Sequence, residues 1–121
     1  MRNCVFCRQE EILLQNEYAW AKYDLHPVSA GHVLIISKRH VEDFFDTTIE
    51  ERQAINDLLE QAKELLDTKY SPDGYNIGIN CGDAAGQTIM HLHVHLIPRY
   101  HGDIENPRGG VRGAIPDKRV Y

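Results

Sequence analysis

The sequence lacks any uninterrupted apolar run of the roughly 20 residues that a membrane-spanning helix requires. Its first ten residues, MRNCVFCRQE, include charged side chains where a secretory signal would have its apolar segment. A basic surplus is also missing, because the formal net charge is −5 at pH 7, and this argues against a protein that coats nucleic acid. We therefore expect a cytoplasmic protein that binds neither membranes nor nucleic acid.

Cysteine is scarce, and the chain contains only Cys4, Cys7 and Cys81. An odd number of cysteines without an export signal favours reduced thiols or thiolate ligands over a disulfide framework. Cys4 and Cys7 have the CxxC spacing of a metal-binding knuckle, but one such pair provides only half of a four-ligand site. The usual alternative is a thioredoxin-like redox pair, which needs a preceding strand that a motif so close to the first residue does not allow.

Length and composition predict a single globular domain over residues 1–121. The chain is 42% hydrophobic and 26% charged, which is ordinary for a domain with one core. Residues 99–121 contain five basic and three acidic residues, so this C-terminal segment is positive in a chain that is acidic overall. Such a segment fits local binding of a small anion, and it fits a solvated surface tail equally well.

Hydrophobic patterning predicts strands, then a long helix. We expect residues 12–14 and 18–23 to form a hairpin and residues 31–37, GHVLIIS, to form a buried strand. An amphipathic helix is expected over residues 47–70, where the sequence TIEE has the spacing of a capping box.

Two further strands are expected after the helix. They cover residues 75–80 and 88–97 around a small-residue turn, and Pro98 is expected to end the second one. The order of elements fits an α+β domain with a mostly antiparallel sheet and its helices on one side.

Three histidines alternate with aliphatic residues in HLHVHLI, residues 91–97. In a strand, His91, His93 and His95 share one face, and the aliphatic side chains point to the other. Same-face neighbours lie about 6.6 Å apart, whereas zinc–imidazole bonds are about 2.0 Å long. Convergence of all three rings on one metal is therefore disfavoured, and the row suits an extended ligand such as a phosphate chain.

The middle residue of the row, His93, is the natural nucleophile. Its two neighbours can hold the oxygens of the phosphorus that it attacks. A neutral imidazole with one nitrogen bound to a carbonyl has the other nitrogen free to attack. The expected product of this step is a covalent phosphorus–nitrogen intermediate that water opens later, without a metal ion.

HLHVHLI resembles the H-φ-H-φ-H-φ-φ signature (φ, hydrophobic) of the histidine triad (HIT) superfamily of nucleotidyl hydrolases and transferases. GHVLIISKRH at residues 31–40, Asn80 and GQT at residues 86–88 are similar to further blocks of that family in the same order, so the resemblance covers nearly the whole chain. GQT and PRYHGD are more similar to the dinucleoside polyphosphate hydrolase branch than to the phosphoramidase branch.

The resemblance implies an α+β fold, with about five antiparallel strands, one long amphipathic helix and a shorter one. It also implies a homodimer that cleaves the α-phosphate linkage of a nucleotide, of the diadenosine polyphosphate type, without a cofactor in the chemical step. Hydrolysis of a nucleoside phosphoramidate is the nearest alternative, and a zinc-stapled nucleotide-binding protein with vestigial activity is another.

Site residues follow from the same resemblance. It implies catalytic roles for His93, His95 and His32, ribose binding by Asp24, phosphate or leaving-group binding by Asn80, Gln87 and Thr88, and a base pocket at Phe6 and Leu25. Taken singly, each of these residues has a structural explanation, such as a turn or a core position. The ordered set around the triad favours the enzyme.

Some members of the superfamily bind zinc through a CxxC pair, a histidine after the second block and the first triad histidine. The matching residues here are Cys4, Cys7, His40 and His91. A closed site with four protein ligands has a structural role, so one imidazole of the row would bind metal and two would face phosphate. Unmetallated thiols at a frayed terminus are the alternative.

In this superfamily the C-terminal segment helps to select the substrate. Residues 99–121 are expected to have that role here, with Arg108 or Arg112 near the distal phosphates.

Overall fold

A single antiparallel sheet and one long helix form the framework of the protein, in a computed structural model that describes residues 3–121. The elements are β1 (Leu14–Gln15), β2 (Ala19–Tyr23), β3 (Val33–Ser37), α1 (Ile49–Tyr70), β4 (Gly74–Ile79) and β5 (His93–Arg99). All neighbouring strands are antiparallel, in the order β1-β2-β3-β5-β4. The predicted α+β fold with five antiparallel strands is confirmed.

The hydrophobic core lies between α1 and one face of the sheet. Alternate residues of the strands point to this face because the side-chain period of a strand is two. The buried cluster includes Ala19, Ala21, Val33, Ile35, Val94 and Leu96 from the strands, and Ile55, Leu58, Ala62 and Leu66 from the helix. The opposite face of the sheet is therefore free to carry a functional site.

Helix α1 begins at the predicted capping box. The hydroxyl of Thr48 accepts a hydrogen bond from the main-chain N–H of Glu51, and the carboxylate of Glu51 accepts one from the N–H of Thr48. The guanidinium of Arg39 donates two further hydrogen bonds to the same carboxylate, at 2.8 and 2.9 Å. These bonds attach the start of the helix to the segment that follows β3.

The last strand differs from the prediction at both ends. β5 begins at His93, so His91 precedes the strand, and Pro98 lies inside it instead of ending it. The carbonyl of Arg99 accepts a hydrogen bond from Asp73 on the β4 side, so the nitrogen of Pro98 faces the β3 side. On that side the pairing of β5 with β3 ends at Leu96. No carbonyl of β3 therefore lies opposite Pro98 to accept the hydrogen bond that a proline nitrogen cannot donate.

A second α-helix is absent from the described residues. Four short 3₁₀ segments occur instead, at Phe44–Asp46, Asp83–Ala85, Gly110–Ala114 and Pro116–Lys118. Within residues 3–121, no helix combines the length and apolar composition needed to cross a membrane.

Candidate active site and metal centre

A cavity of about 510 Å³ lies on the sheet face opposite to α1. Strands β3 and β5 contribute side chains that alternate with core residues, so Leu34, His93 and His95 point into the cavity while Val33 and Val94 pack against the helix side. Eight of the nine residues predicted for catalysis and substrate binding line it: His93, His95, His32, Asp24, Asn80, Thr88, Phe6 and Leu25.

Gln87 is the predicted substrate-binding residue that the structure does not bring into this cavity. Its side chain is buried, and its amide oxygen accepts a hydrogen bond from the main-chain N–H of Gly82 at 2.8 Å. Its amide nitrogen donates to the carbonyls of Glu42 and Ile89. All these partners are main-chain atoms, so in this structure Gln87 holds together the loop that carries Thr88.

His93 presents one ring nitrogen as a free base. Its Nδ1 lies 2.9 Å from the main-chain carbonyl oxygen of His91. A carbonyl can only accept, so Nδ1 carries the proton and donates it. In the neutral imidazole, Nε2 then holds the lone pair. The ring of Phe6 packs edge-on against His93, with 5.0 Å between centroids.

His32 and His95 form a directed hydrogen-bond chain. The N–H of Val28 donates to Nδ1 of His32 at 3.2 Å, so the neutral ring of His32 has its proton on Nε2. That nitrogen lies 3.0 Å from Nδ1 of His95 and 3.5 Å from the carboxylate of Asp24. When His32 donates to His95, the remaining proton of His95 is on Nε2.

The rings of His32 and His95 in this hydrogen-bonded pair both favour the neutral form. Burial lowers the pKa of His32, an effect that the nearby carboxylate of Asp24 partly opposes. Burial also lowers the pKa of His95, and the neighbouring His93 and His32 lower it further. At pH 7 His95 therefore offers the cavity a neutral N–H donor, which suits an anionic oxygen of a phosphate.

The four predicted metal ligands converge beside the cavity. Sγ of Cys4 lies 3.3 Å from Nδ1 of His91, and Sγ of Cys7 lies 3.2 Å from Nδ1 of His40 and 3.5 Å from Nδ1 of His91. All four ligand atoms lie within 4.8 Å of one another. Tetrahedral zinc, with bonds of about 2.3 Å to sulfur and 2.0 Å to nitrogen, places such ligand atoms roughly 3.5 Å apart, so the set fits the ion.

The hydrogen bonding of His91 also fits a metal ligand. Its Nε2 lies 2.7 Å from the carbonyl oxygen of Ser37 and must be the donor, which leaves the lone pair on Nδ1 toward the cysteines. Burial raises the pKa of the Cys7 thiol, and the adjacent Cys4 raises it further. A divalent cation would offset the repulsion between the two thiolates.

A second group with metal-ligand chemistry is formed by Asp24, His32 and His95, whose ligand atoms also lie within 4.8 Å of one another. The hydrogen bonds of this group do not suit a metal ligand, because they place the proton of His32 on Nε2, the nitrogen that would have to bind the metal. A neutral His32 that binds a metal through Nε2 needs its proton on Nδ1, where it would meet the N–H of Val28 at 3.2 Å. This group is therefore arranged as a hydrogen-bond chain, whereas the cysteine cluster is the group whose hydrogen bonding fits a metal ion.

Sequence reasoning missed several residues that line the cavity: Val5, Lys22, His26, Val28, Leu34 and Ile89. Lys22 is almost fully buried and could have been found, because it shares the cavity face of β2 with Trp20, two residues earlier, while Ala19 and Ala21 point to the core. His26 and Val28 lie in the loop between β2 and β3, where no periodicity indicates which side chains face the site.

The C-terminal segment places its arginines on an aromatic ring. The guanidinium groups of Arg108 and Arg112 lie 5.0 and 4.5 Å from the ring centroid of Tyr121. The guanidinium of Arg119 donates hydrogen bonds to the carbonyls of Asn106 and Arg108. Neither Arg108 nor Arg112 lines the 510 Å³ cavity within the chain.

Comparison with known proteins agrees with this geometry. The family model of the HIT domain matches residues 7–102. The chain is 38% identical over 104 residues to an uncharacterized HIT-like protein of Mycoplasma genitalium, covering 81% of this chain and 74% of that protein. It is 37% identical over 99 residues to a bis(5'-adenosyl)-triphosphatase of Dictyostelium discoideum, covering 82% of this chain and 66% of that protein.

A solved structure with the same fold contains zinc. It is a Zn-bound histidine triad family protein from Mycobacterium smegmatis, which superposes with a TM-score of 0.76 at 32% identity and covers 84% of this chain and 78% of its own. The matches in sequence and in structure place this chain in one class, the domains built around a histidine triad. The chain belongs to the HIT family.

Proposed function

We propose that this protein hydrolyses a nucleotide at its α-phosphate, with His93 as the nucleophile. The observation that carries the proposal is the hydrogen bond from Nδ1 of His93 to the carbonyl oxygen of His91 at 2.9 Å. In the neutral ring this bond places the lone pair on Nε2, and the ring lines the cavity of about 510 Å³. A free imidazole nitrogen near neutral pH is a competent nucleophile toward phosphorus.

In the first step, Nε2 of His93 forms a bond to the α-phosphorus while the bond from phosphorus to the leaving oxygen breaks. The leaving group departs with the electron pair of that bond. Nδ1 keeps its proton, so the positive charge that develops on the ring is stabilised by the carbonyl of His91. The N–H of His95 donates to a non-bridging oxygen of the α-phosphate, and Asn80 and Thr88 line the same cavity.

In the second step, water attacks the phosphorus and the bond from phosphorus to Nε2 breaks. The electron pair returns to the imidazole, the proton of the water passes to solvent, and a nucleoside monophosphate is released. No metal ion takes part in either step. The base would lie among apolar side chains at Val5, Phe6 and Leu25, and the carboxylate of Asp24 would accept from the ribose hydroxyls.

The substrate class is supported by the relatives. The Dictyostelium discoideum protein is named a bis(5'-adenosyl)-triphosphatase, and it aligns with 82% of this chain. We therefore propose a dinucleoside polyphosphate as substrate, cleaved to a nucleoside monophosphate and the remaining nucleotide.

A nucleoside phosphoramidate is the second candidate substrate, and one observation favours it. Among the described residues that line the cavity, Lys22 is the one lysine or arginine. A polyphosphate leaving group carries several negative charges, whereas an amine leaving group carries none. The ratio of kcat/KM for diadenosine tetraphosphate to that for an adenosine phosphoramidate distinguishes the two.

Zinc and a second copy of the chain belong to the same proposal. We propose that Cys4, Cys7, His40 and His91 bind zinc in a structural role, since the ligand distances fit and the Mycobacterium smegmatis protein is Zn-bound.

We also propose a homodimer, because β4 is an edge strand of the sheet and its Ile77 is 53% exposed. Light scattering with size-exclusion chromatography measures that state.

The test is to trap the covalent intermediate. Protein mixed with diadenosine tetraphosphate labelled with ³²P at the α-phosphates is quenched in alkali within milliseconds. We expect protein-bound label that survives alkali and is lost in acid, as a phosphorus–nitrogen bond requires, and no label on His93→Gly. Turnover of His93→Gly at the wild-type rate would refute the mechanism. Nucleotide binding without turnover or label in the wild type would make the protein a binding module.

A further inference from the structure

The segment that provides two of the metal ligands also provides part of the cavity wall. Cys4 and Cys7 face the metal centre, whereas Val5 and Phe6, the residues between them, line the cavity. The N–H of Cys7 donates a hydrogen bond to the carbonyl of Cys4, and the resulting turn directs the two cysteines away from Val5 and Phe6. One tetrapeptide therefore has a metal side and a nucleotide side.

Few other interactions hold this tetrapeptide in place. In the part of the chain that the structure describes, no main-chain hydrogen bond joins residues 3–12 to the rest of the protein. The polar contacts of these residues with distant segments are those of the cysteine sulfurs with His40 and His91. Phe6 adds an apolar contact with Trp20, Leu34 and Ile36.

The candidate metal ligands and the tetrapeptide of residues 4–7 also provide contacts to the ring of His93. One contact that orients this ring is the carbonyl of His91, a metal-ligand residue whose own imidazole is fixed between the cysteines and the carbonyl of Ser37. A second is the ring of Phe6, 5.0 Å from that of His93, and the ring of His95 on the same strand lies 5.2 Å away. The contacts with the His91 carbonyl and with Phe6 come from a candidate metal ligand and from a residue that lies between two such ligands.

We propose that the metal centre positions the active site: zinc at Cys4, Cys7, His40 and His91 fixes Phe6 as the wall of the base pocket and fixes the ring of His93 for attack. The proposal rests on the proposed function and goes beyond a purely structural zinc. It makes Phe6 a positioning residue for His93 as well as a contact for the base. Loss of the metal then weakens nucleotide binding and slows the chemical step together, even while the sheet and α1 stay folded.

The first experiment measures nucleotide affinity without turnover. The Kd of AMP is determined by calorimetry for the zinc-loaded wild type, for chelator-treated wild type and for the Cys4→Ser Cys7→Ser double variant. We expect Kd to rise about tenfold or more in both metal-free forms, equivalent to about 1.4 kcal/mol, and to recover when zinc is added back to the wild type. Cys81→Ser, which removes a thiol outside the cluster, is the matched control and keeps the wild-type Kd.

Two spectroscopic signals separate positioning from overall stability. Trp20 is the single tryptophan of the chain and packs against Phe6, so its fluorescence should change when zinc is removed and return when it is restored. The ¹⁵N chemical shifts of His93 should report one tautomer, protonated at Nδ1, with zinc bound. Exchange between both tautomers is expected without it. A metal that only raised the melting temperature would alter neither signal in the folded protein.

A second variant keeps the proposal testable if the double variant does not fold. Phe6→Ala leaves all four ligands in place, and we expect one zinc per chain, weaker AMP binding and lower kcat. An unchanged Kd for AMP in folded metal-free protein overturns the inference, as does an unchanged Kd and kcat in zinc-loaded Phe6→Ala. Either result with normal wild-type turnover leaves the proposed hydrolase intact. Conversely, wild-type protein that binds AMP in a zinc-dependent way but never forms the His93 adduct would refute the proposed hydrolase mechanism and support the positioning role of the metal.

Discussion

Nε2 of His32 lies 3.0 Å from Nδ1 of His95, although the two residues are 63 positions apart in the chain. The N–H of Val28 donates to the other nitrogen of His32, so the proton between the two rings belongs to His32. The arrangement is stable only while both rings are neutral, because a second proton on His32 would meet the N–H of Val28. The pair therefore links the protonation state of the site to the stability of the fold.

The free energy of unfolding should decrease below about pH 6.5. Burial lowers the pKa of His32 and of His95 in the folded state relative to the usual value of about 6.5. As the pH falls below that value the unfolded chain binds protons first, so the equilibrium shifts toward unfolding. This contribution to stability is complete above about pH 6.5 and is lost as the pH decreases toward the folded pKa values.

Urea unfolding at pH 7.5 and pH 5.5, in saturating zinc, measures this effect. We expect the decrease in stability to be smaller in His32→Asn than in the wild type, while His101→Asn, which alters an exposed ring, follows the wild type. Equal pH dependence in His32→Asn and wild type would contradict the assignment.

Replacement of His93 should remove the chemistry and leave binding. In His93→Ala no nitrogen remains to attack the α-phosphorus, and we expect kcat to fall by roughly 10⁴-fold or more. AMP should still bind, because the base and ribose contacts are unchanged. Steady-state kinetics and calorimetry make the two measurements, and His101→Ala is the histidine control. A loss of AMP binding that matches the loss of kcat would assign His93 to binding instead.

Glu51 should stabilise the fold far more than other acidic residues of α1. Glu51→Ala leaves the N–H of Thr48 without its capping partner and removes two hydrogen bonds from Arg39. We expect a loss of about 2 kcal/mol in the free energy of unfolding. Glu60→Ala, on the exposed face of the same helix, should change it by less than about 0.5 kcal/mol. Similar urea midpoints for both variants would show that the capping network contributes little.

The metal centre should bind one zinc per chain. Elemental analysis of protein purified without chelator gives the stoichiometry. Because zinc binds the folded state, free zinc at 100 times its Kd should add about 2.7 kcal/mol to the stability, which thermal unfolding detects as a higher Tm. Cys4→Ser should lose both the zinc and the rise in Tm, and Cys81→Ser should keep both. A wild-type protein that contains no zinc, with a Tm that zinc does not change, would mean that the thiols are unmetallated.

Local sequence patterns were sufficient for the framework, and the family resemblance indicated many of the residues that line the cavity. The short apolar run in GHVLIIS, rich in branched residues, predicted a buried strand, the TIEE spacing predicted the helix start, and the row of histidines indicated which strand carries the chemistry. The strand rule for proline failed at Pro98, because it depends on whether a neighbouring strand is present at that level, which the sequence does not state. Similarly, the GQT motif marked Gln87 as a substrate contact, whereas its amide is occupied by main-chain partners within its loop and at Glu42.

The sequence by itself determined which residue types could form the site, because side-chain periodicity and motif spacing are local properties of the chain. Only the tertiary structure decided which nitrogen of each imidazole is free. His91, His93 and His95 are chemically identical in the sequence. Their partners are a carbonyl of Ser37, a carbonyl of His91 and the ring of His32, and two of these come from distant segments. Each imidazole has two nitrogens that share one proton, and its partner in the fold selects the nitrogen that keeps it. That selection suits one ring to bind a metal, one to act as the proposed nucleophile and one to donate a hydrogen bond.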